Sequence, residues 1–198
     1  MYKRQLEEGH EVAPGWIGDL PARPTVYLTL GSVVPLESGD LFARVIAGIR
    51  ELRVNLIVTV GDEFDRDDLG PQPDNVRIES WITQAVLLPS CDLVVSHGGS
   101  GSVIAALAHG LPLVVIPLGA DQPNNADRCD ALGVGLVLDP IEATADDARV
   151  AVQAVLTEPA YREAALRIKR EAESLPGPAY AVTLLERLAI ERRPMLAG

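Results

Sequence analysis

Residue types suited to anions and hydroxyls crowd into one stretch of the chain, Trp81 to Gln122. At its centre stands Ser96-His97-Gly98-Gly99-Ser100-Gly101-Ser102. An apolar run of strand length (Leu93, Val94, Val95) precedes it, and a helix-forming apolar run, Val103 to Ala108, follows. A strand, a Gly/Ser turn and a helix in that order aim free backbone N–H groups at an anion. Glycines let the main chain approach a ligand with no Cβ in the way. The hydroxyls of Ser100 and Ser102 add donors. The anion that suits such a turn is a phosphate or a diphosphate. The same turn also occurs in α/β proteins that bind nothing there, so the turn alone leaves both readings open. Taken singly, His97 reads better as a packed or capping residue, and Asp121-Gln122 as a solvated turn.

Taken together the elements carry a resemblance. Trp81-x-x-Gln84, His97-Gly98-Gly99-Ser100-Gly101-Ser102, Gly110-x-Pro112, Pro117 and Asp121-Gln122 resemble the donor-binding signature of family 1 glycosyltransferases of the GT-B fold. The variant is similar to that of bacterial enzymes that glycosylate macrolides, aromatic polyketides and other natural products. The likeness runs from about Trp16 to about Leu188 and corresponds to the C-terminal half of such an enzyme.

The resemblance implies a role for each residue. Trp81 stacks on the nucleobase, Ile82 offers its backbone to the base edge, and Gln84 lies near the ribose. His97 and the turn Gly98, Gly99, Ser100, Gly101, Ser102 hold the diphosphate. Asp121 and Gln122 hydrogen-bond the sugar hydroxyls. Gly31 and Ser32 match a first glycine turn that faces the diphosphate and the interdomain cleft. These roles are physically sensible. A flat indole holds a flat base by stacking. A carboxylate beside an amide can accept from and donate to hydroxyls. The phosphate charge meets a helix N-terminus and an imidazole.

Two positions depart from the family pattern. The plant-type signature has a Glu eight residues after the His that grips both ribose hydroxyls; Ala105 stands there. Losing that carboxylate suits a nucleotide without a 2′-hydroxyl, because an unpaired buried Glu is costly. The expected donor is therefore a dTDP-sugar in preference to a UDP-sugar. Thr83 replaces the Pro usually found before the Gln, a change of local backbone.

The implied reaction is an inverting, metal-independent transfer of a hexose or deoxyhexose to a hydroxyl of a small-molecule natural product. The donor is a substrate, and no cofactor is implied. A base, usually a His backed by an Asp, belongs to the other half, so no catalytic residue is assigned in this chain and the chain alone is expected to be inactive. His97 touches the leaving group and is badly placed to deprotonate an acceptor. His10 lies in a polar leader, and His109 ends a helix beside Gly110. Two other readings stay open: a non-catalytic donor-binding subunit that needs a separate acceptor-binding partner, and half of a nucleotide-sugar 2-epimerase. The second fits Trp81-x-x-Gln84 and Asp121-Gln122 less well. A homodimer is an open arrangement.

The elements that position these residues follow from the pattern. A chain of 198 residues suits one domain with appendages. Its aliphatic composition fits a buried parallel sheet between helices, a doubly wound Rossmann-like α/β fold and the C-terminal half of a GT-B fold. Residues 1–24 read as a leader and linker remnant, 25–175 as the donor-binding domain, and 176–198 as a helix that would pack back on an N-terminal domain. Met1 to Gln5 resembles the adapter-derived end of a truncated reading frame. Without an N-terminal domain, apolar surface on the last helices is expected to be exposed.

Strands are expected at Thr25–Leu30, Asn55–Val60, Asn75–Glu79, Leu93–Ser96, Leu113–Pro117 and Gly135–Leu138. Helices are expected after Ser38 and at Gln84–Leu88, Ser100–Ala108, Gln122–Leu132, after Thr144, from Pro159, and over Ala179–Ile190. Trp16 reads as an aromatic packed on the domain surface. The acidic segment Asp62 to Asp68 has no fixed ligand spacing and reads as a solvated loop. Cys91 opens a buried strand as a packed thiol, and neither it nor Cys129 belongs to a metal motif. A net charge of −11 argues against nucleic acid or an anionic membrane as partner. With no spanning run and no secretory pattern, the expected location is the cytoplasm.

Overall fold

The computed structural model describes residues 13–31, 40–62, 64 and 66–192, without the side chains of residues 67 and 178. Ser32, Ser38 and His10 therefore lie outside the described residues, as does most of the leader. Pro14 leads into a short 3₁₀ turn, Gly15–Ile17. The chain then enters β1 (Thr25–Thr29), followed by α1 (Leu41–Ile49), β2 (Asn55–Thr59), β3 (Val76–Glu79) and a single helical turn, α2 (Gln84–Leu87). Next come β4 (Leu93–Ser96), α3 (Ser100–Ala108), β5 (Leu113–Val115), α4 (Gln122–Ala131) and β6 (Gly135–Val137). Three helices close the chain: α5 (Ala145–Thr157), α6 (Pro159–Glu173) and α7 (Pro178–Glu191).

All six strands are parallel, in the order β3-β2-β1-β4-β5-β6. This is the doubly wound order, which reverses direction between β1 and β4. Crossovers on both faces bury both sides of the sheet, so the strands are apolar at successive positions rather than alternately. Val26, Leu28, Leu56, Val58, Leu93, Val95 and Val114 pack under α1 and α5. Tyr27, Ile57, Val94, Leu113 and Val115 face the opposite layer, where Ala106, Ala126, Cys129 and Ala164 supply small side chains. Cys91 and Cys129 are buried and unpaired; Cys91 is the packed thiol expected, though it precedes β4 and does not open it. Burial pushes their pKa values up to about 12 and about 11, which leaves them as inert thiols at neutral pH.

The helix ends follow local chemistry. Thr144 caps α5 in a reciprocal capping box, accepting from the Asp147 N–H while the Asp147 carboxylate accepts from the Thr144 N–H. Gly110 ends the α3 turn at φ +70°. Trp16 rests on the domain surface with the Arg77 guanidinium 4.0 Å above its ring. The apolar surface expected on α7 is present: Tyr180, Val182, Leu185, Leu188 and Ile190 are all exposed. No helix among the described residues is long and apolar enough to cross a membrane.

Candidate functional site

Parallel strands place all their C-terminal ends along one edge, and the reversal between β1 and β4 opens a crevice there. Thr29 of β1 is in register with Ser96 of β4. The two glycine turns that leave these strands, at Gly31 and at Gly98, therefore meet at the switch point. Both glycines adopt positive φ, +85° and +82°.

The imidazole of His97 fills the gap between the turns. A Cβ on Gly31 would stand 2.9 Å from its Nε2, and a Cβ on Gly99 would collide with the same atom. The glycines are thus explained by the ring as well as by any ligand. Its Nδ1 is buried without a hydrogen-bond partner. Burial lowers the imidazole pKa below its ordinary value, opposed by the Thr29 backbone and the Asp121 carboxylate. Burial thus favours the neutral form of the His97 imidazole. In the unfolded chain the same imidazole titrates near 6.5, so as pH falls the unfolded state takes up the proton first. Stability is then lost through that point and levels off below the folded pKa. The urea midpoint of the wild type should fall more than that of His97→Gln between about pH 7.5 and pH 5. Parallel midpoints in the two proteins would show that His97 is not held neutral.

The turn from Gly98 leads directly into α3. No side chain caps α3, whose N-cap is Gly99, so its first-turn N–H groups have no intrahelical acceptor. The Gly98 N–H is not among the free donors, since it donates to Ser96 Oγ at 3.1 Å. Trp81, just beyond the C-terminal end of β3, is 50% exposed. Ile82 behind it is buried. Gln84 Nε2 reaches Ser102 Oγ at 3.4 Å, which ties the segment after Trp81 to the first turn of α3.

Asp121 and Gln122 differ in what they have left to offer. Gln122 is buried, and its Oε1 accepts from the N–H groups of Leu118 (2.7 Å) and Gly119 (3.0 Å). The amide therefore holds its own loop, and only its Nε2 remains to donate; the expected accept-and-donate pair reduces to a carboxylate that accepts and an amide that donates. Asp121 Oδ2 accepts from Ser100 Oγ at 2.7 Å and from Asn125 Nδ2 at 3.0 Å. These bonds hold the Asp121 carboxyl below the usual carboxylate range, Ser100 contributing most.

Two residues escape a reading of the sequence alone. Asn125, one turn into α4 from Asp121, also donates to the Gly98 carbonyl at 2.8 Å. Tyr27 lies beneath the crevice with its hydroxyl 2.8 Å from Thr59 Oγ1, and burial raises its pKa against the opposing side chains of Thr59, Thr29 and Gln84. The spacing of Asn125 to Asp121, i to i+4 on a helix, is the signal that could have found it. Among the described residues no group of three or more His, Cys, Asp or Glu could hold a metal ion.

Comparison with known proteins gives a consistent result. Residues 43–188 match the family model of erythromycin biosynthesis protein CIII-like C-terminal domains. The chain is 36% identical to aklavinone 7-beta-L-rhodosaminyltransferase of Streptomyces galilaeus over 194 residues, 93% of this chain and 42% of that protein. It is also 36% identical to 3-alpha-mycarosylerythronolide B desosaminyl transferase of Saccharopolyspora erythraea, over 93% of this chain and 44% of that protein. Among solved structures, glycosyltransferase VinC in complex with DTDP superposes with a TM-score of 0.82 at 31% identity, over 93% of this chain and 46% of VinC. Spinosyn rhamnosyltransferase SpnG complexed with thymidine diphosphate gives 0.81 at 30%, over 90% of this chain and 49% of SpnG. The chain spans less than half the length of the curated relatives it matches.

Proposed function

The chain belongs to the erythromycin biosynthesis protein CIII-like C-terminal domains, which are halves of GT-B natural-product glycosyltransferases, and from that membership we propose that it binds the nucleotide-sugar donor for such a transfer. The observation that carries the reading is the placement, beyond the C-terminal ends of β3, β4 and β5 along one sheet edge, of an exposed indole, an uncapped helix N-terminus and an exposed carboxylate. They suit a base, a diphosphate and a sugar respectively. Trp81 stacks on the base, with the Ile82 backbone at its edge and Gln84 toward the ribose. The α3 N-terminus, the turn from Gly98 to Ser102 and His97 take the diphosphate, and Gly31 borders it. Asp121 accepts from sugar hydroxyls and Gln122 donates to them.

The reaction is an inverting displacement at the anomeric carbon. A base on an acceptor-binding half removes the acceptor proton as the new C–O bond forms and the bond to the diphosphate breaks. Negative charge grows on the leaving oxygen, where the α3 N–H groups and the His97 N–H are already oriented. Residues 25–175 form the donor-binding domain, and α7 is the element that meets the other half.

The favoured donor is a dTDP-sugar. Ala105 leaves no carboxylate for a 2′-hydroxyl, and two similar structures, those of VinC and SpnG, are complexes with dTDP. Calorimetry with dTDP, UDP and ADP tests this. Wild type should bind dTDP more tightly than UDP, and Ala105→Glu should move the ratio toward UDP by about tenfold, the effect of leaving a carboxylate without its hydroxyl partner. An unchanged ratio in Ala105→Glu would remove Ala105 from the argument, and UDP bound more tightly by the wild type would overturn the donor assignment.

A further inference from the structure

Asn125 Nδ2 has two protons and three acceptors within reach: Gly98 O at 2.8 Å, Asp121 Oδ2 at 3.0 Å and Ser100 Oγ at 3.3 Å. The carbonyl and the carboxylate fix this atom as the nitrogen, since an amide oxygen there would face two acceptors. Ser100 meanwhile gives its own proton to Asp121 Oδ2. One amide thus ties together the turn assigned to the diphosphate, the serine at its edge and the carboxylate assigned to the sugar.

A diphosphate on the turn competes for the Ser100 hydroxyl. When that hydroxyl rotates to a phosphate oxygen, Asp121 loses its shortest hydrogen bond as a polyanion arrives beside it. Asn125 then has two protons for two remaining acceptors, Gly98 O and Asp121 Oδ2, with no surplus. We propose that Asn125 is a positioning residue that holds the Asp121 carboxylate aimed at the sugar while Ser100 is handed over to the diphosphate. This rests on the donor-site reading above and adds how its two ends are coupled. The groups around Asp121 are Ser100, Asn125 and, electrostatically, the His97 imidazole. Ser100 and Asn125 are the side chains that hydrogen-bond its carboxylate, so removing Asn125 leaves Asp121 without a side-chain donor once Ser100 has turned.

The test compares dTDP with dTDP-glucose by calorimetry on wild type, Asn125→Ala and Asn125→Asp, together with the Asp121 carboxyl titration followed by carbon NMR in the unliganded chain. Asn125→Ala should weaken dTDP-glucose about tenfold more than dTDP, the share of one hydrogen bond to a charged group. Its Asp121 titration should move to higher pH. Asn125→Asp keeps the shape but sets a second carboxylate against the first, so it should weaken both ligands beyond Asn125→Ala. A general loosening of the fold would weaken both ligands alike and would not produce that order. Equal losses for the two ligands in Asn125→Ala, or an unmoved Asp121 titration, would overturn the proposal. If wild type binds neither ligand, alone or with the N-terminal half of a similar enzyme added, the donor reading fails and the coupling falls with it, while the NMR titration still reports whether Asn125 holds Asp121.

Discussion

Gly98→Ala is expected to abolish dTDP binding and to destabilise the fold. Gly98 sits at φ +82°, where an L side chain is strained, and its Cβ would stand 2.7 Å from Val115 Cγ1 and 3.3 Å from the Gln122 carbonyl oxygen. The first neighbour belongs to β5 and the second is backbone at the start of α4, so neither gives without moving part of the fold. Strain in the left-handed region and overpacking together should cost about 2–4 kcal/mol. Urea unfolding reads that cost as a lowered midpoint at unchanged slope. Gly15→Ala is the control, because a Cβ there meets nothing within 4 Å. A Gly98→Ala protein as stable as wild type and still able to bind dTDP would show that the turn does not need its observed backbone.

Trp81→Ala should separate binding from stability. The indole is 50% exposed, so its removal should change the unfolding midpoint little. Stacking of a base on an aromatic side chain is worth about 1–3 kcal/mol by alanine substitution. The dTDP affinity should therefore fall by about five- to 150-fold. In the wild type, dTDP should also quench the exposed Trp81 fluorescence, while Trp16, under the Arg77 guanidinium, should be unaffected. An unchanged dTDP affinity in Trp81→Ala would remove the indole from the site.

The pattern of elements was legible because each is punctuated locally. Gly110 and Gly133 take positive φ where they end α3 and α4, Thr144 opens α5, and the aliphatic runs of β1, β2, β4 and β5 leave little choice but buried strands. Differences at the boundaries are one or two residues, as at β5, which pairs only over Leu113–Val115. The expected doubly wound fold is the one observed, and the exposed apolar face of α7 was foreseen.

The site was legible in its members more than in its internal bonds. His97 stands out in the sequence, but its lowered pKa depends on a ring packed between Gly31 and Gly99, and Gly31 is adjacent only because β1 pairs with β4. Gln122 reads as a sugar ligand, yet its Oε1 is taken by Leu118 and Gly119, a bond visible only once the loop is folded. Asn125 gives no signal by type, since a polar residue on a helix is ordinarily solvated. Its importance lies in three acceptors that come from two separate segments.

The most direct test of the donor-site account is calorimetric titration of dTDP into the folded wild-type chain. The groups assigned to base, diphosphate and sugar all belong to this chain, so the account predicts saturable binding at one site, weakened by Trp81→Ala. A folded chain that takes up no dTDP, alone or after addition of the N-terminal half of a similar enzyme, would contradict it.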